Sequence, residues 1–404
     1  MTIRVLHIIT TLGRGGAERQ LVNLACNTDG TEFTHTICHL RPPGDFAAEL
    51  KAAGREVISL NLPRKVPWIY APARLVPILR ETEPHIIQTW LFEADLAARL
   101  STLTRTIPII NTLHLTSYEP GTIAAGNWPP RKVEVLRQID RLTSRWSRPL
   151  FIAVSETVKK SAMRNLGLPA ENVRVIYNSI DQATLNCEPD ARFRVRDEMR
   201  IPADAFVFIN VGRLAPQKGQ SVALKAFQLV AAQLPNVYLV LVGEGPEAEA
   251  LAGLARELNV SDRVRFMGRR TDVGACLQMS DVFIFPSLFE GFPLAPIEAM
   301  LKGVPCIAAS IEPVLELFTD GETGVLVEPG SERELAAAMM RLYAQPELRQ
   351  RLSANARTLA MERFDSSTGL RAWEQLYREL APRRVRHTAG GTTEPHVAVP
   401  PIDN

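Results

Sequence analysis

Short apolar segments alternate with longer amphipathic segments along most of this chain. The apolar segments predict buried strands at residues 4–10, 34–40, 55–60, 85–90, 108–114 and 151–155, and again at 206–212, 237–243, 263–268, 281–287, 305–310 and 323–329. Helical patterns such as AERQLVNLACN and ADLAARLSTLT separate most of them. This alternation is typical of α/β proteins in which helices cover both faces of a parallel sheet.

The alternation restarts in the second half of the chain, which indicates two domains. Residues 4–19 and 207–220 share one order, namely an apolar strand, a glycine-containing loop and then a helix. A chain of 404 residues is also too long for one ordinary core, since domains usually contain about 150–200 residues. We therefore predict two facing, doubly wound Rossmann-like domains. Ligands of open α/β sheets bind beyond the carboxyl ends of the strands, so the cleft between the domains is the expected site.

The expected boundaries follow from where the strand pattern stops. The predicted segments are an N-terminal domain at 1–185, a C-terminal domain at 186–365, a final helix at 366–382 that packs back on the first domain, and a disordered tail at 383–404. Ser366 or Ser367 is the expected N-cap of the final helix. The tail is rich in Pro, Gly and Thr and shows no periodicity, which is typical of disorder.

Composition and cysteine spacing narrow the class of protein. The chain is 46% hydrophobic and 22% charged with a formal net charge of +2, which is ordinary for a globular protein, and we expect no nucleic-acid partner. Its five cysteines form no CxxC pair and no metal-ligand spacing with histidine, so we expect a reducing compartment, no disulfide framework and no zinc site. No signal-peptide pattern is present, and no apolar segment reaches the roughly 18–20 residues of a membrane span. We predict a cytoplasmic protein.

The stretch FEGFPLAPIEAM, residues 289–300, combines several features of a ligand site. A loop carrying Glu290 and Gly291 follows the strand at 281–287, and a helix is expected to begin near Leu294. The free amides of a helix start favour a phosphate, and the carboxylates of Glu290 and Glu298 suit sugar hydroxyls. In the alternative interpretation, Glu298 only complements the helix dipole and Glu290 is a solvated loop residue.

The spacing of these two glutamates resembles the E-x7-E signature of retaining glycosyltransferases of family 4, which have the GT-B fold of two facing Rossmann-like domains. Three other segments are similar to motifs of that family: GGAER at 15–19, VGRLAPQKG at 211–219 and LVGEGP at 241–246. The matches occur in the family's order from residue 4 to about residue 375. The resemblance implies an acceptor-binding first domain, a donor-binding second domain, and transfer of a sugar from a nucleotide-sugar substrate.

The resemblance also implies roles for particular residues. The implied donor-binding residues are Gly15, Gly16, Arg213, Lys218, Gly243, Arg269, Glu290, Gly291, Phe292, Leu294 and Glu298. Arg213 and Lys218 would neutralise the diphosphate as its bond to the sugar breaks. Glu298 would bind the ribose, and Glu290 would bind the hydroxyls of the transferred sugar. The main chain near Arg269 would contact the edge of the nucleotide base.

The expected catalytic residues are His114, Glu290, Arg213 and Lys218. His114 matches a family histidine at the end of a first-domain strand, near the donor sugar, whereas His7 lies mid-strand and is interpreted as structural. Backbone amides of Phe292 and Leu294 would meet the sugar and phosphate. Pro293 has no N–H where many members carry glycine, so one hydrogen bond to the sugar is absent here.

No cofactor is expected, and we predict activity without a metal because the chain contains no Asp-x-Asp motif. A nicotinamide enzyme is disfavoured because Glu18 stands where G-x-G-x-x-G requires its third glycine. Two alternatives stay open: a sugar-nucleotide epimerase or phosphorylase on the same scaffold, and a donor-binding regulator that has lost catalysis. UDP-hexoses and UDP-N-acetylhexosamines are the first expectation for the donor and GDP-mannose is the second; a saccharide or lipid-linked molecule is the expected acceptor.

A basic amphipathic segment at 131–148 has two interpretations. Arg137, Arg141 and Arg145 share one helical stripe, and the apolar stripe contains Val135, Ile139, Leu142 and Trp146. Such a helix fits docking on an anionic membrane, the inner face of the cell membrane in a cytoplasmic protein. It equally fits an ordinary surface helix packed by its apolar side.

Overall fold

The computed structural model describes residues 2–13, 15–42, 44–63, 68–102, 107–125 and 129–381. The predicted disordered tail at 383–404 and the last residue of the predicted segment 366–382 lie outside the described residues.

The first domain is built on a seven-stranded parallel sheet. Its strands are β1 (Ile3–Ile9), β2 (Phe33–His39), β3 (Glu56–Ser59), β4 (Ile86–Trp90), β5 (Ile109–Leu113), β6 (Leu150–Ala153) and β7 (Val173–Val175). They lie in the order β3-β2-β1-β4-β5-β6-β7. The helices between and after them are α1 (Gly16–Asn27), α2 (Ala47–Ala52), α3 (Ala71–Thr82), α4 (Phe92–Ser101), α5 (Pro120–Ala125), α6 (Pro130–Ser147) and α7 (Glu156–Leu166).

The second domain is built on a six-stranded parallel sheet. After α8 (Ala191–Glu198), its strands are β8 (Phe206–Val211), β9 (Val237–Val242), β10 (Val264–Gly268), β11 (Val282–Phe285), β12 (Cys306–Ala309) and β13 (Val325–Val327), in the order β10-β9-β8-β11-β12-β13. The associated helices are α9 (Gln220–Ala231), α10 (Ala248–Glu257), α11 (Val273–Gln278), α12 (Leu294–Leu301), α13 (Glu312–Leu315), α14 (Glu332–Ala344), α15 (Pro346–Phe364) and α16 (Ser366–Leu380).

The predicted fold class is confirmed, because both sheets are parallel and each is interleaved with helices. Each predicted strand is present. One strand was missed: β7 has three residues, VRV, with an exposed arginine at its centre, so its apolar run is too short to signal a strand. In the polar segment near 180–200, α8 was also not predicted.

A continuous apolar cluster joins the two domains. It extends from Phe151 and Val158 in the first domain to Phe292, Ile297 and Phe364 in the second. Phe292 is central to it, because its ring lies 5.3 Å from that of Tyr177 and 5.7 Å from that of Phe364. The loop between β11 and α12 is therefore anchored by a side chain at the junction of the domains.

A polar contact reinforces this junction. The carboxylate of Glu316, from the second domain, accepts hydrogen bonds from the backbone amides of Glu156 and Thr157 at 2.8 Å each and from the Thr157 hydroxyl at 2.7 Å. These amides open α7 of the first domain, so Glu316 satisfies free donors of a helix start and complements its dipole.

The final helix, α16, packs against the first domain. Trp373 and Tyr377 are buried beside Phe33 and Trp90, and the Tyr377 hydroxyl donates to Oε1 of the buried Gln88. The expected N-cap was wrong. Asp365, which is extended with φ −67° and ψ 143°, caps the helix by accepting from the Ser367 amide at 3.0 Å, whereas Ser366 is already its first helical residue.

His7 is buried in a chain of hydrogen bonds below α16. The indole N–H of Trp90 can only donate, so it donates a hydrogen bond to His7 Nδ1 at 3.2 Å. His7 Nε2 therefore carries the ring proton and donates to His35 Nδ1 at 2.7 Å. His35 Nε2 completes the chain with the Thr28 hydroxyl at 2.7 Å. Burial lowers the pKa of both histidines, that of His35 to about 3, so both are neutral.

In the part of the chain that the structure describes, no helix is long and apolar enough to cross a membrane.

Removing the Tyr377 hydroxyl tests the attachment of α16. Tyr377→Phe leaves Gln88 Oε1 buried without a donor, so the free energy of unfolding should fall by about 1–3 kcal/mol. Urea unfolding followed by tryptophan fluorescence would report it, because Trp90 and Trp373 lie in the same cluster. Tyr343→Phe is the matched control, since among the described residues the Tyr343 hydroxyl has no hydrogen-bond partner. Equal stability of the two variants would contradict the assigned contact.

Candidate functional site

The loop from β11 to α12 carries the first group of predicted site residues. Strand β11 ends at Phe285, and α12 begins at Leu294 after Pro293, which occupies the N-cap with φ −81° and ψ 128°. Pro293 supplies no side-chain cap, so the first amides of α12 have no side-chain partner there. Free amides at a helix start attract an anion. The prediction of a helix starting here is confirmed.

Lys218 and Glu290 form an ion pair between two loops of the second domain. Lys218 Nζ lies 2.6 Å from Glu290 Oε1, and the two side chains are only 20% and 10% exposed. Lys218 ends the short turn Pro216–Lys218 that follows β8. The Leu288 amide donates to the Gln217 carbonyl at 2.8 Å, which holds the two loops together. The pair therefore has a position set by backbone contacts.

Arg213 and Arg269 lie at the surface of the same edge of the sheet. Both are exposed, and neither guanidinium has an ion-pair or hydrogen-bond partner in the ranges that the structure describes. Arg213 follows β8, and its carbonyl accepts from Gln220 Nε2 at 3.0 Å. The structure therefore brings Lys218 and Glu290 together but leaves these two arginines free to meet a ligand.

Two glycines let the loops of this edge approach backbone to backbone. A Cβ on Gly219 would lie 2.1 Å from the Pro286 carbonyl oxygen, and one on Gly243 would lie 2.0 Å from that of Gly212. Gly219 and Gly243 have φ of +66° and +140°, conformations that side-chained residues rarely adopt. No other residue type fits at either position, so the glycines determine how closely these loops pack at the site.

Loops of the first domain close the cleft from the other side. A Cβ on Gly291 would lie 2.2 Å from the His114 carbonyl oxygen, and the Ser155 hydroxyl donates to the Gly291 carbonyl at 3.0 Å. The starts of α1 and α12 also face each other, because a Cβ on Gly16 would lie 3.6 Å from Leu294 Cδ1. The structure thus places Gly16, His114, Gly291 and Leu294 at one interdomain cleft.

Glu18 is a cleft residue that the sequence analysis did not assign to the site. It is buried in the first turn of α1, where Thr11 donates to its Oε1 at 3.2 Å, and burial raises its pKa. Its Oε2 lies 2.3 Å from where a Cβ on Gly15 would be, so this carboxylate fills the space that Gly15 leaves. The glycine at position 15, followed three residues later by an acid, is the signal that could have predicted it.

Glu298 lies on α12 and is partly buried. Its carboxyl makes no hydrogen bond to the described residues, and burial raises its pKa to about 7. A carboxyl with this pKa is divided between its neutral and ionised forms near neutral pH. Glu298 is therefore a hydrogen-bonding group within reach of a ligand, and binding of that ligand can change the protonation state of its carboxyl.

His114 follows β5 and stacks on Trp90, with ring centres 5.2 Å apart and an angle of 22° between the planes. Burial lowers its pKa to about 3, so the imidazole is neutral. Its Nε2 is buried and has no hydrogen-bond partner among the described residues. An unpaired nitrogen beside the Gly291 loop is free to bind a hydroxyl.

Comparison with known proteins identifies the family. Residues 14–184 match the family model described as Glycosyltransferase Family 4, and residues 191–359 match that of Glycosyl transferases group 1. The lipopolysaccharide core biosynthesis glycosyltransferase LpsE of Rhizobium meliloti is 33% identical over 366 residues, covering 90% of this chain and 95% of LpsE. LpsD of the same organism is 35% identical over 182 residues; that alignment covers 45% of this chain and about half, 52%, of LpsD.

Solved structures show the same architecture. Anabaena HepE superposes with a TM-score of 0.81 at 23% sequence identity, and the superposition covers 93% of this chain and 100% of the HepE chain. WaaG, a glycosyltransferase involved in lipopolysaccharide biosynthesis, superposes with a TM-score of 0.73 at 16% identity and covers 96% of this chain. At these identities the likeness establishes the fold. With the match to LpsE over nearly its full length, it follows that this chain belongs to the group 1, family 4 glycosyltransferases, enzymes of the GT-B fold.

Proposed function

We propose that this chain is a retaining glycosyltransferase that moves a sugar from a nucleotide-diphosphate donor to a saccharide or lipid-linked acceptor in cell-surface glycan synthesis. The observation that carries the proposal is the position of Lys218, which is paired with Glu290 on the loop that leads to the free amides at the start of α12, beside the interdomain cleft. A diphosphate needs such positive groups when its bond to a sugar breaks. The relatives LpsD and LpsE, named as lipopolysaccharide core enzymes, support the biosynthetic role.

UDP-hexoses and UDP-N-acetylhexosamines are the proposed donors, with GDP-mannose second. HepE, which shares the fold, was solved in complex with UDP and with UDP-glucose, and this favours a uridine nucleotide. Glu298 would accept hydrogen bonds from the ribose, and the main chain near Gly243 and Arg269 would contact the edge of the nucleotide base. Amides near Gly291, Phe292 and Leu294 would bind the phosphate and sugar.

In the proposed reaction, Lys218 turns from Glu290 toward the diphosphate, and Arg213 adds a guanidinium fork. Glu290, released in part, accepts hydrogen bonds from the sugar hydroxyls. The acceptor hydroxyl then attacks the anomeric carbon from the face that the diphosphate leaves. Its oxygen forms the new bond as the bond to the phosphate oxygen breaks, and its proton passes to that phosphate oxygen. The neutral imidazole of His114 positions a hydroxyl without supplying a charge.

The surface of α6 supports a proposed site of action at an anionic membrane, on the cytoplasmic face. Val135, Leu142 and Trp146 are 58%, 65% and 65% exposed, so this apolar stripe is not packed against the protein. The helix instead buries Val133, Asp140 and Ser144. Arg145 is exposed next to Trp146, whereas Arg137 is paired with Glu134 at 2.7 Å on the other side of the helix. An exposed apolar stripe with a neighbouring cation favours contact with a negatively charged interface.

The donor proposal is tested by binding of a panel of nucleotide sugars, followed by transfer assays with those that bind. A UDP-sugar should bind best, and Lys218→Ala should weaken its binding and reduce turnover by about 100-fold or more, because the diphosphate loses its most buried cation. Turnover would be measured as UDP release in the presence of an acceptor.

Lys225→Ala is the control for charge, since Lys225 is exposed on α9 of the same domain. It should behave as the wild type does. Near-normal turnover of Lys218→Ala would remove Lys218 from the reaction, and failure of every nucleotide sugar to bind would contradict the proposed function. Donor binding without transfer or hydrolysis would instead indicate a regulator.

We propose that transfer needs no metal ion, because Lys218, Arg213 and the α12 amides supply the positive charge. Turnover should therefore be unchanged after dialysis against EDTA and should not rise when Mg²⁺ or Mn²⁺ is added. Loss of activity with EDTA that Mn²⁺ restores would contradict this assignment of the charge.

Glu298 should make donor binding depend on pH. Below its pKa of about 7 the free carboxyl is protonated, and above it the carboxylate accepts hydrogen bonds from the ribose. Affinity for UDP should therefore rise between about pH 6 and pH 8 in the wild type. Calorimetric titrations should show a flatter profile for Glu298→Gln, while Glu257→Gln, a change at an exposed position on α10, should keep the wild-type profile. Parallel profiles for all three proteins would exclude Glu298 from the nucleotide site.

A further inference from the structure

A cavity of about 420 Å³ lies in the first domain beyond the carboxyl ends of β4 and β5. Its walls come from Thr10 after β1, the start of α4, the end of β5 and the loop that follows it, α5, and the inner faces of α6 and α7. Most of the lining is apolar and includes Leu91, Phe92, Leu113, Val133, Leu136 and Leu166. A volume of this size is ordinary for a small-molecule site, and an empty apolar cavity costs the protein stability.

The charged groups of the cavity favour a ligand that carries no negative charge there. Glu93, Asp95 and Asp140 line it, whereas no lysine or arginine does among the described residues. All three carboxyl groups already have partners. Arg99 pairs with Asp140 at 2.6 Å, Arg41 pairs with Glu93 at 2.7 Å, and Thr89 donates to Asp95 at 2.5 Å. A phosphate placed here would face carboxylates without a compensating cation.

Two polar atoms of the lining lack partners. Thr10 Oγ1 and His114 Nε2 are both buried and form no hydrogen bond within the described part of the chain. A buried polar atom without a partner is costly, so both are sites that a ligand hydroxyl would satisfy. His114 also connects the cavity to the cleft, because its carbonyl oxygen lies 2.2 Å from where a Cβ on Gly291 would be.

We infer that this cavity binds an uncharged apolar group of the acceptor, with a hydroxyl of that molecule paired to Thr10 and His114. The acceptor is thereby an amphiphile, such as a glycoside with an aliphatic or aromatic aglycone, and not a fully hydrophilic saccharide. This inference rests on the proposed function. The apolar body fills the space between α6 and α7, and the hydroxyl-bearing end lies next to the Glu290 loop.

Two glycosides with the same sugar test the inference directly. Octyl β-D-glucoside, below its micelle-forming concentration, and methyl β-D-glucoside would be titrated calorimetrically into the protein saturated with UDP. The octyl compound should bind at least about tenfold more tightly, since burial of two methylene groups is enough for that factor. Thr10→Val should weaken binding of the octyl compound, because it removes one of the two hydroxyl partners.

Filling the cavity separates this site from non-specific binding of a detergent. Leu136→Trp places a larger side chain in the cavity and should abolish the preference for the octyl compound. Leu142→Trp on the same helix should keep it, because Leu142 is 65% exposed and does not line the cavity. Equal binding of the two glucosides to the wild type, or a preference that survives Leu136→Trp, would overturn the inference. UDP titrations of each protein distinguish the failures: a wild type that does not bind UDP contradicts the proposed function, whereas UDP binding without octyl selectivity contradicts only the acceptor class.

Discussion

Close packing of backbone against backbone at the carboxyl ends of the central strands is the constraint on which the site depends. At Gly219, Gly243 and Gly291 an added Cβ would lie 2.1, 2.0 and 2.2 Å from a carbonyl oxygen of a neighbouring loop. Nothing larger than a hydrogen atom fits at such distances. These glycines therefore allow the loops after β8, β9 and β11 to pack directly against one another, and they allow the β11 loop to pack against the first domain. The backbone of those loops then has little freedom of position. Backbone contacts of this kind make the loops of the cleft as closely packed as the protein core.

The cleft holds its charges in a way that suits an incoming anion. Lys218 is paired with Glu290, so neither charge is isolated in this half-buried position. In the proposed function, a diphosphate would offer Lys218 a stronger partner, and the exchange would free Glu290 for hydroxyl groups. Exposed Arg213 needs no partner beforehand, because water solvates it. Across the cleft, Glu18 occupies the start of α1, so that helix does not present a free anion site equivalent to the start of α12.

Sequence patterns predicted the parts of this molecule that depend on local spacing. Buried strands produce apolar runs, and a strand followed by a glycine loop and a helix start produces a recognisable order, so the two sheets, the loop of Glu290 and the helix of Glu298 could all be predicted. Features set by tertiary distance could not. The Lys218–Glu290 pair joins residues 72 positions apart, and Phe292 anchors its loop through Tyr177 and Phe364. The cavity beside His114 is lined by residues of α4, β5, α5, α6 and α7, which are far apart in the sequence. Asp365 replaced the expected serine caps because the chain is still extended at that residue.

The most direct test of diphosphate binding at the interdomain cleft is a crystal structure of the protein with UDP-glucose or its non-transferable analogue bound. We expect diphosphate oxygens within about 3.5 Å of Lys218 Nζ, the Arg213 guanidinium and the first amides of α12, with the glucose against the Glu290 loop. A nucleotide bound outside the interdomain cleft, with Lys218 still paired to Glu290 and Arg213 directed into solvent, would contradict it.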